Sequence, residues 1–162
     1  MWSLNAMIPR KIAEMIHSFG PELNGWEEIN TDHTLVIKRF QETNLREGFE
    51  SEMRLLLEKT DAFEIRIKGM DIFSSVPKGS SPVLYIEIES KDLRKIHGEL
   101  IDVFGVVEGL EGKDYIPHIT IARGHKDGLE KFEKNLDATD IVRVLEFWDR
   151  EKYKSRGKIF LG

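Results

Sequence analysis

The chain has 162 residues, 40% hydrophobic and 33% charged, with a formal net charge of −5. That length suits one domain with a real core, or two small lobes sharing one, and the apolar content excludes a disordered chain. The negative balance argues against a protein that coats long duplexes through a broad basic face, but leaves room for a small positive cleft holding one phosphate. No apolar run approaches the roughly 20 residues of a membrane span. The start, Met1 to Asn5, lacks the basic region and long apolar stretch of a secretory leader. Cysteine is absent, so disulfides and thiolate sites are excluded. The expectation is a cytoplasmic monomer, a single domain over 1–162, without membrane contact.

In chain order, Leu4–Ile8 reads as a short buried strand. Pro9 suits a first helical turn, and Ile12, Met15, Ile16 and Phe19 fall on one face of the helix that Gly20 and Pro21 end. His33–Phe40 reads as a strand, and Phe49, Met53, Leu56 and Leu57 mark a second helix within Leu45–Lys59. Phe63–Phe73 alternates as a half-buried strand does, with Phe63, Ile65 and Ile67 against Glu64, Arg66 and Lys68. Ser74–Pro82 is a loop, either a flap over a cleft or a plain hairpin connection. Val83–Ile88 is a strand. Ser90 caps a third helix with Leu93, Ile96, Leu100 and Phe104 on one face and Gly105 as its stop. Tyr115–Arg123 is a strand and Asp127–Leu136 a short helix. Ile141–Trp148 and Lys158–Leu161 form a closing pair of strands joined around Arg156-Gly157. The two halves share a rhythm, each with a strand bearing a histidine, which predicts one α+β unit of pseudo-duplicated lobes.

The histidines differ in setting. His17 lies off the apolar stripe of the first helix and reads as solvated, His97 flanks a core face and reads as structural, and His125 follows Gly124 in a turn. His33 and His118 instead each open an apolar β segment. On a strand His118 and Thr120 project from one face. An imidazole moves protons near neutral pH and a hydroxyl donates to a phosphoryl oxygen. One such pair carries little, whereas two in matching places of two similar halves carry more.

Tyr115-Ile116-Pro117-His118-Ile119-Thr120-Ile121-Ala122-Arg123 is very like the Pro-His-x-Thr-hydrophobic-Ala-Arg motif of the 2′-5′ RNA ligase family, within the two-histidine phosphodiesterase superfamily. Phe63–Gly69 resembles the strand after the family's second helix, Phe147-Trp148 and the turn before Lys158 resemble its closing hairpin, and Leu4–Ile8 fits its first strand. The resemblance implies two pseudo-symmetric lobes of antiparallel sheet, helices outside, and a central cleft carrying one histidine motif from each lobe. It also implies a metal-independent enzyme without cofactor. Such an enzyme opens 2′,3′-cyclic phosphate ends of RNA, or 2′,3′-cyclic nucleotides, to 2′-phosphates, and with an RNA 5′-hydroxyl in place of water joins RNA through a 2′-5′ bond. His33 and His118 would be its acid and base, with Thr120, Thr34 and Arg123 on the phosphate.

The first motif departs from the pattern, because Leu35 stands where threonine or serine is expected and Thr34 comes one residue early. Either a β-bulge re-aims Thr34, or Lys38 or Arg39 supplies the donor. Phe40, Tyr115 and Trp148 either pack in the core or stack a terminal base. Two other readings stand beside the enzyme: an RNA-end or nucleotide binding module of the same fold with weak catalysis, and a metal hydrolase using His33, His118 and His125 with Asp32 or Asp114. No Walker loop, Gly-x-Gly-x-x-Gly, Gly-x-Ser-x-Gly or His-Glu-x-x-His is present, so ATP-driven ligation, dinucleotide binding, serine hydrolysis and zincin chemistry find no support.

Overall fold

The structure is a computed structural model that describes residues 1–41, 47–77, 79–124 and 127–162. Among these residues the chain runs β1 (Trp2–Ala6), α1 (Arg10–Ser18), β2 (Glu28–Ile29), β3 (Leu35–Phe40), α2 (Phe49–Leu57), β4 (Phe63–Phe73), β5 (Val83–Glu89), α3 (Lys91–Phe104), β6 (His118–Arg123), β7 (Lys134–Val142), β8 (Val144–Asp149) and β9 (Lys154–Phe160). The described strands form a 9-stranded sheet in the order β7-β4-β5-β6-β3-β1-β8-β9, with β2 beside β6. Every pairing is antiparallel. The order divides into two four-stranded halves, β7-β4-β5-β6 and β3-β1-β8-β9, which meet where Leu35 stands opposite Ile119. This is the expected α+β architecture of two antiparallel lobes.

Local patterning explains the clearest elements. In β4, Phe63, Ile65 and Ile67 are buried while Glu64, Arg66 and Lys68 are exposed. The alternation breaks at a bulge between Ile67 and Gly69, where a Cβ on Gly69 would lie 2.6 Å from the Lys134 carbonyl oxygen, so only glycine lets β7 approach. α3 starts where the Ser90 hydroxyl accepts from the Leu93 N–H at 3.2 Å, a cap contributing about 1 kcal/mol, and buries Leu93, Ile96, His97 and Leu100 against β3 and β4. α1 buries Ile12 and Ile16 beside β7.

Beneath β3 lies a buried ion pair. Lys38 Nζ donates to Glu111 Oε1 at 2.6 Å, with side-chain exposures of 2% and 1%. Glu111 also accepts from the backbone N–H groups of Arg39 at 2.7 Å and Val107 at 2.9 Å. One carboxylate thus fastens the chain after α3 onto β3.

Several expected boundaries shift. The first strand is Trp2–Ala6, the second begins at Leu35 instead of His33, and the motif strand begins at His118, because Pro117 has no N–H for the ladder. Leu45 and Arg46, at the start of the expected second helix, lie outside the described residues. The helix expected over Asp127–Leu136 is a single 3-10 turn, Leu129–Phe132, after which β7 begins at Lys134. The closing turn falls after β8, where Asp149 Oδ1 accepts from the N–H groups of Glu151 and Lys152, both at 3.1 Å. Arg156-Gly157 lies inside β9, with Gly157 at φ 148 opposite a bulge between Phe147 and Trp148. No helix among the described residues is long and apolar enough to cross a membrane.

Candidate active site

His118 opens β6 and is held from several sides. Its Nδ1 lies 2.6 Å from the Ile116 carbonyl oxygen. A carbonyl only accepts, so Nδ1 carries the proton and Nε2 presents a lone pair. Phe73 and Tyr85, stacked on each other at 3.8 Å, meet the imidazole edge-on at 5.3 and 5.6 Å. Burial pushes the His118 pKa below the ordinary histidine value. The Ile116 carbonyl opposes that shift, and the Arg39 and Arg123 charges add to it.

His118 lines a cavity of about 480 Å3 together with Thr120, Arg123, Arg39, Arg150 and Tyr115. Ser75, Val76 and Pro77 form part of its wall, so this part of the loop expected after Phe73 belongs to the site. Arg123 Nη1 donates to the Ser80 carbonyl at 3.4 Å. A Cβ on Gly79, at φ +81, would come within 2.7 Å of that nitrogen, so glycine allows the loop to lie against the guanidinium. A net-negative protein thus gathers three arginines at one histidine.

His33 reaches its place differently. The ladder along β6 pairs Ile29 with Ala122, continues with Asn30 N–H donating to the Ile121 carbonyl at 2.9 Å, and resumes at Leu35 opposite Ile119. Thr31, Asp32, His33 and Thr34 therefore stand out of the ladder opposite a single residue, Thr120. The irregular first motif is an excursion larger than a one-residue bulge, and His33 sits in it, ahead of the strand it was expected to open. The local residues, Asn30-Thr31-Asp32, are turn formers.

His33 lines a second cavity, of about 670 Å3, with Asp32, Thr34, Asn5, Trp148, Arg150 and Tyr153 among its neighbours. Burial lowers its pKa, while the Asn30 backbone and the Asp32 charge work the other way. The Tyr153 hydroxyl donates to Asp32 Oδ2 at 2.6 Å, and its ring meets Trp148 edge-on at 5.6 Å, tying the β8–β9 turn to the excursion. The two imidazoles line different cavities, which share Arg150.

The aromatic expectations divide. Phe40 is 2% exposed in a cluster with Phe49, Phe104 and Phe147 and cannot stack a base. Tyr115 lies flat on His97 at 3.8 Å and donates its hydroxyl to the Val36 carbonyl at 2.7 Å, so it shapes the cavity as packed structure. Trp148 is half-buried in the His33 cavity and remains available for stacking. His97 is structural, with Nδ1–H donating to Ile37 O at 2.7 Å and Nε2 accepting from Gly112 N–H at 3.1 Å. His125 lies outside the described residues. Among the described residues no three His, Asp or Glu side chains gather as a metal site.

Sequence reasoning missed Arg150, Tyr153, Phe73 and Tyr85, and named Arg39 only as a substitute donor. Arg150 and Tyr153 sit in a charged stretch that reads as a solvated turn, and the only signal was its place at the end of an apolar strand.

No curated protein matches the chain. Among solved structures, TT0787 of Thermus thermophilus superposes with a TM-score of 0.68 at 18% identity, covering 99% of this chain and 97% of that one. E. coli LigT complexed with 3′-AMP gives 0.69 at 12% identity, with 99% and 97% covered. At these identities the likeness is one of fold. The model of the 2′-5′ RNA ligase superfamily matches residues 30–153, a span that contains both histidine segments and most of the sheet. The chain belongs to the 2′-5′ RNA ligase superfamily.

Proposed function

We propose that the protein is a metal-independent RNA 2′,3′-cyclic phosphodiesterase that opens cyclic phosphate ends to 2′-phosphates, and that an RNA 5′-hydroxyl in place of water joins RNA through a 2′-5′ bond. The observation that carries this reading is His118: its Nδ1 is engaged by the Ile116 carbonyl, which leaves the Nε2 lone pair for chemistry, and it lines one cavity with Thr120 and Arg123. A base beside hydrogen-bond donors for a phosphoryl group suits phosphodiester chemistry. That E. coli LigT takes 3′-AMP, NADP+ and ATP supports a nucleotide-binding cleft.

In this reading the neutral His118 takes a proton from water as its oxygen bonds to phosphorus. The bond from phosphorus to the ribose 3′ oxygen breaks, and protonated His33 gives that oxygen its proton. Burial lowers both imidazoles; Asp32 then works for the protonated form of His33, while Arg39 and Arg123 work for the neutral form of His118, which supports His118 as base and His33 as acid. Thr120 and Arg123 meet the charge on the non-bridging oxygens. With an RNA 5′-hydroxyl in place of water, the same steps form the 2′-5′ bond.

The test is turnover of 2′,3′-cyclic AMP, and of a short RNA ending in a cyclic phosphate, in excess EDTA. Wild type should release a 2′-phosphate, and His33→Ala and His118→Ala should each lose about 10²–10⁴-fold. Binding without turnover across a wide pH range would establish the second reading, a binding module, which the displacement of His33 from the ladder favours. Activity lost in EDTA and restored by one divalent ion would move the mechanism to a metal.

A further inference from the structure

Arg39 and Arg150 share the His118 cavity, yet neither guanidinium pairs with an acid among the described residues. Glu111, the acid closest to Arg39 in effect, is occupied by Lys38, Val107 and the Arg39 backbone. Asp114 and Glu146 line the two cavities but bond to neither arginine.

The fold brings these two cations together. Arg39 on β3 stands opposite Ser3 of β1, and Arg150, just past β8, donates its backbone N–H to the Met1 carbonyl at 3.0 Å. They flank the first residues of β1 from its two neighbouring strands. Their proximity is unfavourable: burial lowers the Arg39 pKa and the Arg150 charge lowers it further. Two mutually repelling cations lining one cavity, neither ion-paired among the described residues, make a site that an anion would relieve.

The two arginines stand at different removes from His118: the Arg39 charge still reaches that imidazole, while Arg150 follows β8, two strands beyond β3. Extending the Leu35–Ile119 pairing by one residue sets Val36 across from His118. Arg39 is three residues further along β3, roughly 10 Å at strand spacing. We propose that Arg39 and Arg150 form a second phosphate site, taking the phosphodiester on the 5′ side of the terminal nucleotide. The preferred substrate class is then an oligonucleotide end, not a 2′,3′-cyclic mononucleotide. This inference rests on reading the cleft as a cyclic phosphodiesterase site.

The test uses two ligands that are not turned over: 3′-AMP, and the 3′-phosphorylated dinucleotide ApAp. Their affinities are measured by calorimetry over a salt series for wild type, Arg39→Gln and Arg150→Gln, with thermal melts confirming that the variants fold. Wild type should bind the dinucleotide at least tenfold tighter, with a log–log salt slope steeper by about 0.7, the value of one extra single-strand phosphate contact. Either substitution should abolish the extra slope. Stacking of the added base raises affinity without steepening the slope, so equal wild-type slopes overturn the proposal. Equal weakening of both ligands in the variants also overturns it, since the arginines would then grip the terminal phosphate. If wild type turns over cyclic AMP and the slopes are equal, only the second site fails. If it neither binds nor turns over any of these ligands, the cyclic phosphodiesterase reading fails with it.

Discussion

At the scale of single residues, the cleft depends on which imidazole nitrogen holds a proton. The Ile116 carbonyl fixes that for His118, and burial among Phe73 and Tyr85 keeps the ring neutral below the ordinary histidine pKa of 6.5. A base that resists protonation keeps working as the solution turns acidic. The acid limb of the kcat/KM profile should therefore lie below 6.5. His33, lowered as well, must be protonated to act, so the alkaline limb should also begin on the acid side of neutrality. A pH–rate series on cyclic AMP checks both limbs, and an alkaline optimum would reject the assignment. Thr120→Ala should lower kcat/KM by about ten- to a hundredfold, the worth of one hydrogen bond to a charged group. An unchanged rate in that variant would remove Thr120 from the site. Much of this centre was legible in advance: His118-Ile119-Thr120 lies on a strand as its spacing demanded. The first motif was not, because an apolar run beginning at Leu35 looks the same in sequence whether the histidine before it is in the ladder or outside it.

At the scale of elements, β3 carries the architecture. It pairs with β1 on one side and β6 on the other, and its own Lys38 is fixed by Glu111. Removing one partner leaves a buried charge. Glu111→Gln should cost about 3–5 kcal/mol in urea denaturation, while Lys38→Met with Glu111→Leu should cost far less than the two single changes together. A single-site cost under about 1 kcal/mol would mean that water reaches the pair. Sequence periodicity found the strongly patterned elements, Phe63–Phe73 and the Ser90-capped helix, with bounds that match the fold. It failed over Lys134–Val142, whose burial alternates only weakly, and at the closing hairpin, where the turn is set by one aspartate cap that hydrophobic periodicity does not register. Lys38 itself showed no sign of burial in the sequence, since its partner lies in the chain after α3.

At the scale of the molecule, stability and catalysis draw on the same protons. His33, His97 and His118 all have pKa values lowered first by burial, so each binds its proton more weakly in the folded chain than in the unfolded one. Their contribution to stability is complete above 6.5, the ordinary value, and is lost as pH falls towards the folded values. Each such histidine can add at most about 1.4 kcal/mol per pH unit in that window. His97 gives the most direct test, because both of its ring nitrogens are engaged and it joins α3 to β3 and to Gly112. A proton on its Nε2 would face the Gly112 N–H. Urea midpoints should fall steadily from pH 7 to 5 in wild type, and His97→Gln, though less stable at pH 7, should show a shallower fall. An equal slope in that variant would mean the acid sensitivity resides in the cleft alone. His33→Ala and His118→Ala, already made for activity, would then each flatten the curve in turn, tying the loss of fold on acidification to the two residues proposed to carry the reaction.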